Sequence, residues 1–114
     1  MPSKDPIFNI DQIVTNLDAI VDFVGTMNYD AYSADQKTIY ATHSALLIIS
    51  EAVRALPTAL TNSHPKIDWA GWKGIGNIIR HQYDVIDERI VWEVIKKEIA
   101  PLRRVLTSER RRYS

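Results

Sequence analysis

The chain has 114 residues, 46% hydrophobic and 25% charged, with no cysteine; this fits one soluble globular domain over residues 1–114 and excludes disulfides, thiolate chemistry and a Cys-based zinc site. The formal net charge is zero but unevenly spread: residues 1–70 carry four bases against eight acids, and residues 71–114 carry ten bases against six. The Arg-rich end, with Arg103, Arg104, Arg110, Arg111 and Arg112, is either a phosphate-binding pole or a solvated helix end whose cations suit the helix dipole.

The first residues, Met1 to Pro6, lack the apolar stretch of a signal peptide, and the longest apolar run, Ala45–Ile49, is too short for a bilayer. The expected location is cytoplasmic, with no membrane contact. Ile10, Ile13, Leu17, Ile20, Val21 and Val24 recur at helical steps, with Asn9 or Asp11 as cap and Gly25 as stop. Met27 to Tyr32 reads as a connector. Ser33 is the expected cap of the longest helix, which runs through Ile39, Leu46, Ile49 and Val53 to Leu56 and stops before Pro57. Its small residues, among them Ala45, Ser50 and Ala52, suit close helix packing. A short helical turn and loop follow from Thr58 to Lys66.

Asp68 caps a third helix that reaches about Tyr83. Gly71, Gly74 and Gly76 within it are poor helix formers and imply a kink or the close approach of another backbone. Asp84 or Asp87 opens a last helix from Glu88 to about Arg104, bent or broken by Pro101. With no strand pattern and short connections, the fold class is all-α: an up-and-down antiparallel bundle of four main helices plus a short helical turn.

At 100° per residue, Asn77, Arg80, His81 and Asp84 share one face of the third helix, while Ile75 and Ile79 share the other. A neutral imidazole accepts a proton from a ribose 2′-hydroxyl, a guanidinium holds phosphate, and an amide orients either. The plainer reading is a polar helix face with an Arg80–Asp84 pair at i, i+4 spacing. The histidines, His43, His64 and His81, have no metal-ligand spacing, so no metal site is expected. Trp69, Trp72 and Trp92 read as core or interface anchors.

The segments His64-Pro65-Lys66-Ile67-Asp68-Trp69, Gly76 to Asp84 (Gly-Asn-x-x-x-His-x-Tyr-Asp), Val91-Trp92 and Ala100-Pro101-Leu102 resemble the HepT-like family of the HEPN superfamily. Ile49-Ser50-Glu51-Ala52 is similar to that family's Ile-Gly-Glu-Ala box. The resemblance implies a HEPN-like homodimer and metal-independent, cofactor-free RNA cleavage at a composite site shared by two subunits. It implies a toxin–antitoxin pair whose partner, a minimal nucleotidyltransferase antitoxin, adds AMP to a tyrosine. By position, the catalytic histidine falls on His81, the modified tyrosine on Tyr83 and the polar asparagine on Asn77. One departure stands out: the family's signature arginine position is Gly76 here, which leaves Arg80, directly before His81, as the substitute. Two further outcomes stay open, a degenerate non-catalytic domain that binds a nucleotidyltransferase or a nucleotide, and a helical adaptor with no ligand.

Overall fold

The computed structural model describes residues 4–114, and Met1 to Ser3, part of the leader reading above, lie outside the described residues. Among the described residues there are seven helices and no strand. They are α1 (Pro6–Val24), α2 (Tyr29–Ser33), α3 (Gln36–Arg54), α4 (Thr58–Asn62), α5 (Trp69–Gln82), α6 (Glu88–Lys97) and α7 (Ile99–Tyr113). The long helices form the expected up-and-down bundle, with α1 and α3 as its central pair. α5 packs on α3, and α7 packs on α1.

The apolar stripes of the sequence supply the core. Ile10, Ile13, Leu17 and Ile20 of α1 meet Leu46, Ile49 and Val53 of α3, and Trp72, Ile75, Ile79, Leu102 and Leu106 close over them, all buried. Each such aliphatic side chain contributes about 1.5–3 kcal/mol on burial. Val21, which the periodicity assigns to the core, is more than half exposed instead.

The helix ends differ from expectation where two capping residues competed. α1 begins at Pro6, because Asp5 accepts a hydrogen bond from the Ile7 amide and proline suits the first helical position. The expected connector contains α2, capped by Asn28, which accepts from Ala31 N–H at 2.9 Å. Ser33 does not cap α3. Its hydroxyl donates back to the Asp30 carbonyl, and Asp35 caps α3 by accepting from Thr38 N–H. Asp68 caps α5 and Asp87 caps α6.

The single last helix is two helices, and the second reaches Tyr113. The break falls at Glu98, ahead of Pro101. Proline has no N–H for the Lys97 carbonyl, and its ring crowds that same carbonyl four residues back. α6 is thereby released from the line of α7 and packs toward α2. There Trp92 packs at a tilt against Tyr32 and edge-on against Tyr29, at 5.1 and 6.1 Å between ring centroids.

Two histidines are structural. His43 lies 2.8 Å from Glu88, whose other oxygen accepts the buried Tyr32 hydroxyl at 2.7 Å. Burial, then the bonded Glu88 carboxylate, raises the Tyr32 pKa, so its hydroxyl stays a donor. His64 lies 2.8 Å from the buried Glu109, and its carbonyl accepts the Trp69 indole N–H. The segment His64 to Trp69 therefore pins the start of α5 to α7.

Candidate active site on helix α5

α5 is held to α3 by polar as well as apolar contacts. Ser50 donates its hydroxyl to the Lys73 carbonyl at 2.7 Å, and Arg54 donates to the same carbonyl at 2.9 Å. Gly76 is buried on Ser50: a Cβ built there would lie 2.5 Å from Ser50 Oγ. Of the two readings for these glycines, close approach holds at Gly76. Gly74 instead borders open space.

With Trp72, Ile75, Gly76 and Ile79 buried, the opposite face of α5 turns outward. Asn77, Arg80 and His81 are all exposed on it, as is Asp84 just beyond the helix. Arg80 does not pair with Asp84. It reaches to α3 and donates to Glu51 Oε1 at 3.1 Å, both side chains being about half exposed. His81 has no hydrogen-bond partner among the described residues, which leaves its ring nitrogens open to a ligand. Tyr83, which follows the last residue of α5 as its C-cap, is 71% exposed, well beyond the half-burial of a bundle tyrosine.

Beside Arg80 an open groove of about 510 Å³ runs between α1 and α3, lined among others by Phe8, Gln12, Leu47, Ile48 and Glu51. Sequence reasoning missed this groove. It also left Glu51 without a role, because nothing in the sequence links residue 51 to residue 80. The Ile-Ser-Glu-Ala box was the one signal that singled Glu51 out.

The basic pole is partly spent on the fold. Arg103 holds Asp18 through two hydrogen bonds, at 2.7 and 3.1 Å, and Arg110 holds Asp11 in the same way at 2.6 and 3.1 Å. These hydrogen bonds lower the pKa of both carboxyls. Arg112 lies 3.3 Å from Glu109. Arg104 and Arg111 are exposed with no ion pair among the described residues.

Residues 13–109 match the family model described as "Ribonuclease HepT-like". That range contains α5 entire, with Asn77, Arg80, His81 and Tyr83. The chain belongs to the HepT-like ribonuclease family. A relative from Methanocaldococcus jannaschii, named "Putative RNase MJ0127", is 31% identical over 99 residues, 87% of this chain and 82% of the relative. A second from that organism, "Putative RNase MJ0125", is 29% identical over 104 residues, 91% of this chain and 90% of the relative. "Probable ribonuclease HepT" of Thermococcus cleftensis is 28% identical over 94 residues, 82% of this chain and 86% of the relative. No solved structure matches the chain. Among the described residues of this HepT-like chain no three His, Cys, Asp or Glu side chains converge as metal ligands, and no helix is long and apolar enough to cross a membrane.

Proposed function

We propose that the chain is an endoribonuclease toxin that cleaves RNA without a metal at a site composed from two copies of itself. The observation that carries this reading is the pair Arg80 and His81, adjacent and exposed on a helix locked in place by Ser50, Arg54 and the core. Arg80 holds the scissile phosphate and Asn77 orients it. His81 of one copy takes the 2′-hydroxyl proton as the 2′-oxygen bonds to phosphorus. The bond to the 5′-oxygen breaks, and protonated His81 of the second copy gives that oxygen its proton, leaving a 2′,3′-cyclic phosphate and a 5′-hydroxyl. One chain brings one such imidazole, so the mechanism needs the homodimer. Ile78 and Ile90, exposed along the groove between α5 and α6, are apolar surface that suits a second copy.

The control we propose is AMP transfer to Tyr83 by a minimal nucleotidyltransferase antitoxin. The tyrosine oxygen bonds to the α-phosphorus of ATP and pyrophosphate leaves. The exposure of Tyr83, three residues from Arg80, supports this, since the added phosphate competes for the same cation. Arg104 and Arg111 are the arginines of α7 left to hold RNA. Arg103, Arg110 and Arg112 serve RNA only through the donors that Asp18, Asp11 and Glu109 leave over.

A second reading has its own support: the burial of Gly76 on Ser50 leaves no room at that position for the signature arginine. In that reading the chain is a non-catalytic domain that binds a nucleotidyltransferase or a nucleotide. Purified chain incubated with labelled RNA in excess EDTA, beside His81→Ala, decides between them. Cleavage that depends on His81 supports the nuclease, and intact RNA in both supports the binding domain.

A further inference from the structure

We propose that the groove beside Arg80 is a nucleobase subsite, taking the base of the nucleotide whose phosphate sits on Arg80. The proposal deepens the ribonuclease reading and rests on it for the phosphate. Two of its residues, Phe8 and Gln12, lie outside the span 13–109 matched by the family model.

The groove combines apolar, amide and charged side chains. α1 supplies Phe8 and Gln12, one helical turn apart on one face. α3 supplies Ile48 and Glu51, and α5 supplies Arg80. Phe8 is 47% exposed and Ile48 42%, an aromatic and an aliphatic surface, both partly open to solvent. The Gln12 side-chain amide has no hydrogen bond among the described residues, so both its donor and its acceptor are open. Glu51 spends Oε1 on Arg80 and keeps Oε2 free. A guanidinium has five N–H donors, so Arg80 binds a phosphate while keeping Glu51.

A nucleotide answers each of these groups. Its base has a flat π face for Phe8, and its edge alternates donors and acceptors for Gln12 and Glu51. Its phosphate meets the guanidinium. A volume of about 510 Å³ lies within the range of small-molecule sites. Because a carboxylate only accepts, Glu51 favours a base with an exocyclic amine. Uracil, whose single ring N–H stands between two carbonyls, is disfavoured.

The test titrates the purified full chain with ribose 5-phosphate, AMP, CMP and UMP at fixed salt, followed by calorimetry or amide chemical shifts. AMP and CMP are expected to bind about tenfold more tightly than ribose 5-phosphate, with UMP weaker than either. Phe8→Ala should erase the advantage of the base and leave ribose 5-phosphate binding unchanged. Gln12→Ala, an isolated change on the helix surface, should reduce it with the fold intact by circular dichroism. Equal affinity for AMP and ribose 5-phosphate overturns the proposal, as does a base preference that survives in both variants. UMP binding as tightly as CMP removes Glu51 from the site and overturns its edge assignment. If Phe8→Ala turns a sedimenting dimer into a monomer, the groove belongs to a second copy of the chain and the proposal fails. Base-dependent binding by a chain that cleaves no RNA leaves the subsite standing and defeats the ribonuclease reading alone.

Discussion

Ser50 and Gly76 compete for one space where α3 crosses α5: a Cβ on Gly76 would fall 2.5 Å from Ser50 Oγ and 2.7 Å from Ser50 Cβ. Gly76→Ala is therefore expected to destabilise the fold by about 1–3 kcal/mol, although alanine is the better helix former. Ser50→Gly removes both crowding atoms, whereas Ser50→Ala removes only the oxygen. In the Gly76→Ala background, Ser50→Gly should recover stability and Ser50→Ala should not, as read by urea denaturation in a double-mutant cycle. The same reasoning applies to Gly76→Arg. An arginine there requires glycine at position 50, the residue that the resembling family box carries where this chain has serine.

Glu88 opens α6 and binds two partners at once, the Tyr32 hydroxyl and His43. Glu88→Leu leaves both buried groups without their acceptor. An unsatisfied buried group costs about 1–3 kcal/mol, so the loss should exceed that of Tyr32→Phe, which removes only one of the two hydrogen bonds. Chemical denaturation of the two variants checks the order.

The paired carboxyls of Asp11 and Asp18 have lowered pKa values in the fold. A depressed carboxyl contributes stability above its unfolded pKa and loses it as pH falls through the folded value. The clasp of α7 on α1 should therefore weaken below about pH 4, the unfolded range for Asp, and hold at neutral pH. Replacing Arg103 and Arg110 by Gln should flatten the acid limb of a pH–stability curve. An unchanged acid limb would show that neither pair contributes.

His81→Ala should abolish RNA cleavage with helix content unchanged, and excess EDTA should leave the wild-type rate intact. Arg80→Ala should lower kcat/KM by about a hundredfold, the scale of losing one charge-stabilising donor. Glu51→Gln removes the charge that competes with phosphate for Arg80 while keeping a hydrogen-bond acceptor, and should leave cleavage measurable. Quantitative gel assays on one labelled RNA compare all four proteins, and activity that disappears with EDTA would mean a metal mechanism instead.

Tyr83→Phe should shift stability by less than about 0.5 kcal/mol, as for other exposed positions. It should also block AMP transfer. Intact mass after incubation with the nucleotidyltransferase and ATP is the measurement, and a mass gain that persists in Tyr83→Phe would place the modification elsewhere.

The bundle and the polar face of α5 were legible because both are periodic: the apolar stripes of α1 and α3, and the separation of Asn77, Arg80 and His81 from Ile75 and Ile79, follow from 3.6 residues per turn. Boundaries were legible only where one cap stood alone, as Asp68 does. Where Ser33 and Asp35 competed, the winner was decided by which side chain reached the free amides of the next helix. The partner of Arg80 was not legible at all. An i, i+4 pair with Asp84 is what local spacing offers, and Glu51 wins because α5 ends at Gln82 and Asp84 lies past the last turn. Two histidines of three proved structural for a similar reason, since their acids, Glu88 and Glu109, lie 45 residues away.

Because α5 packs on α3 while α7 packs on α1, the histidine and the unpaired arginines belong to different helices of the bundle. On the ribonuclease reading, a di- or trinucleotide seated at His81 engages α5 without needing α7, and its cleavage should depend only weakly on ionic strength. A longer strand that also reached Arg104 and Arg111 would gain further phosphate contacts. Each such phosphate contact adds roughly −0.7 to the slope of log affinity against log salt for single strands. Raising salt would then erode the advantage of long strands over short ones, leaving the choice among RNAs to whatever the groove beside Arg80 accepts.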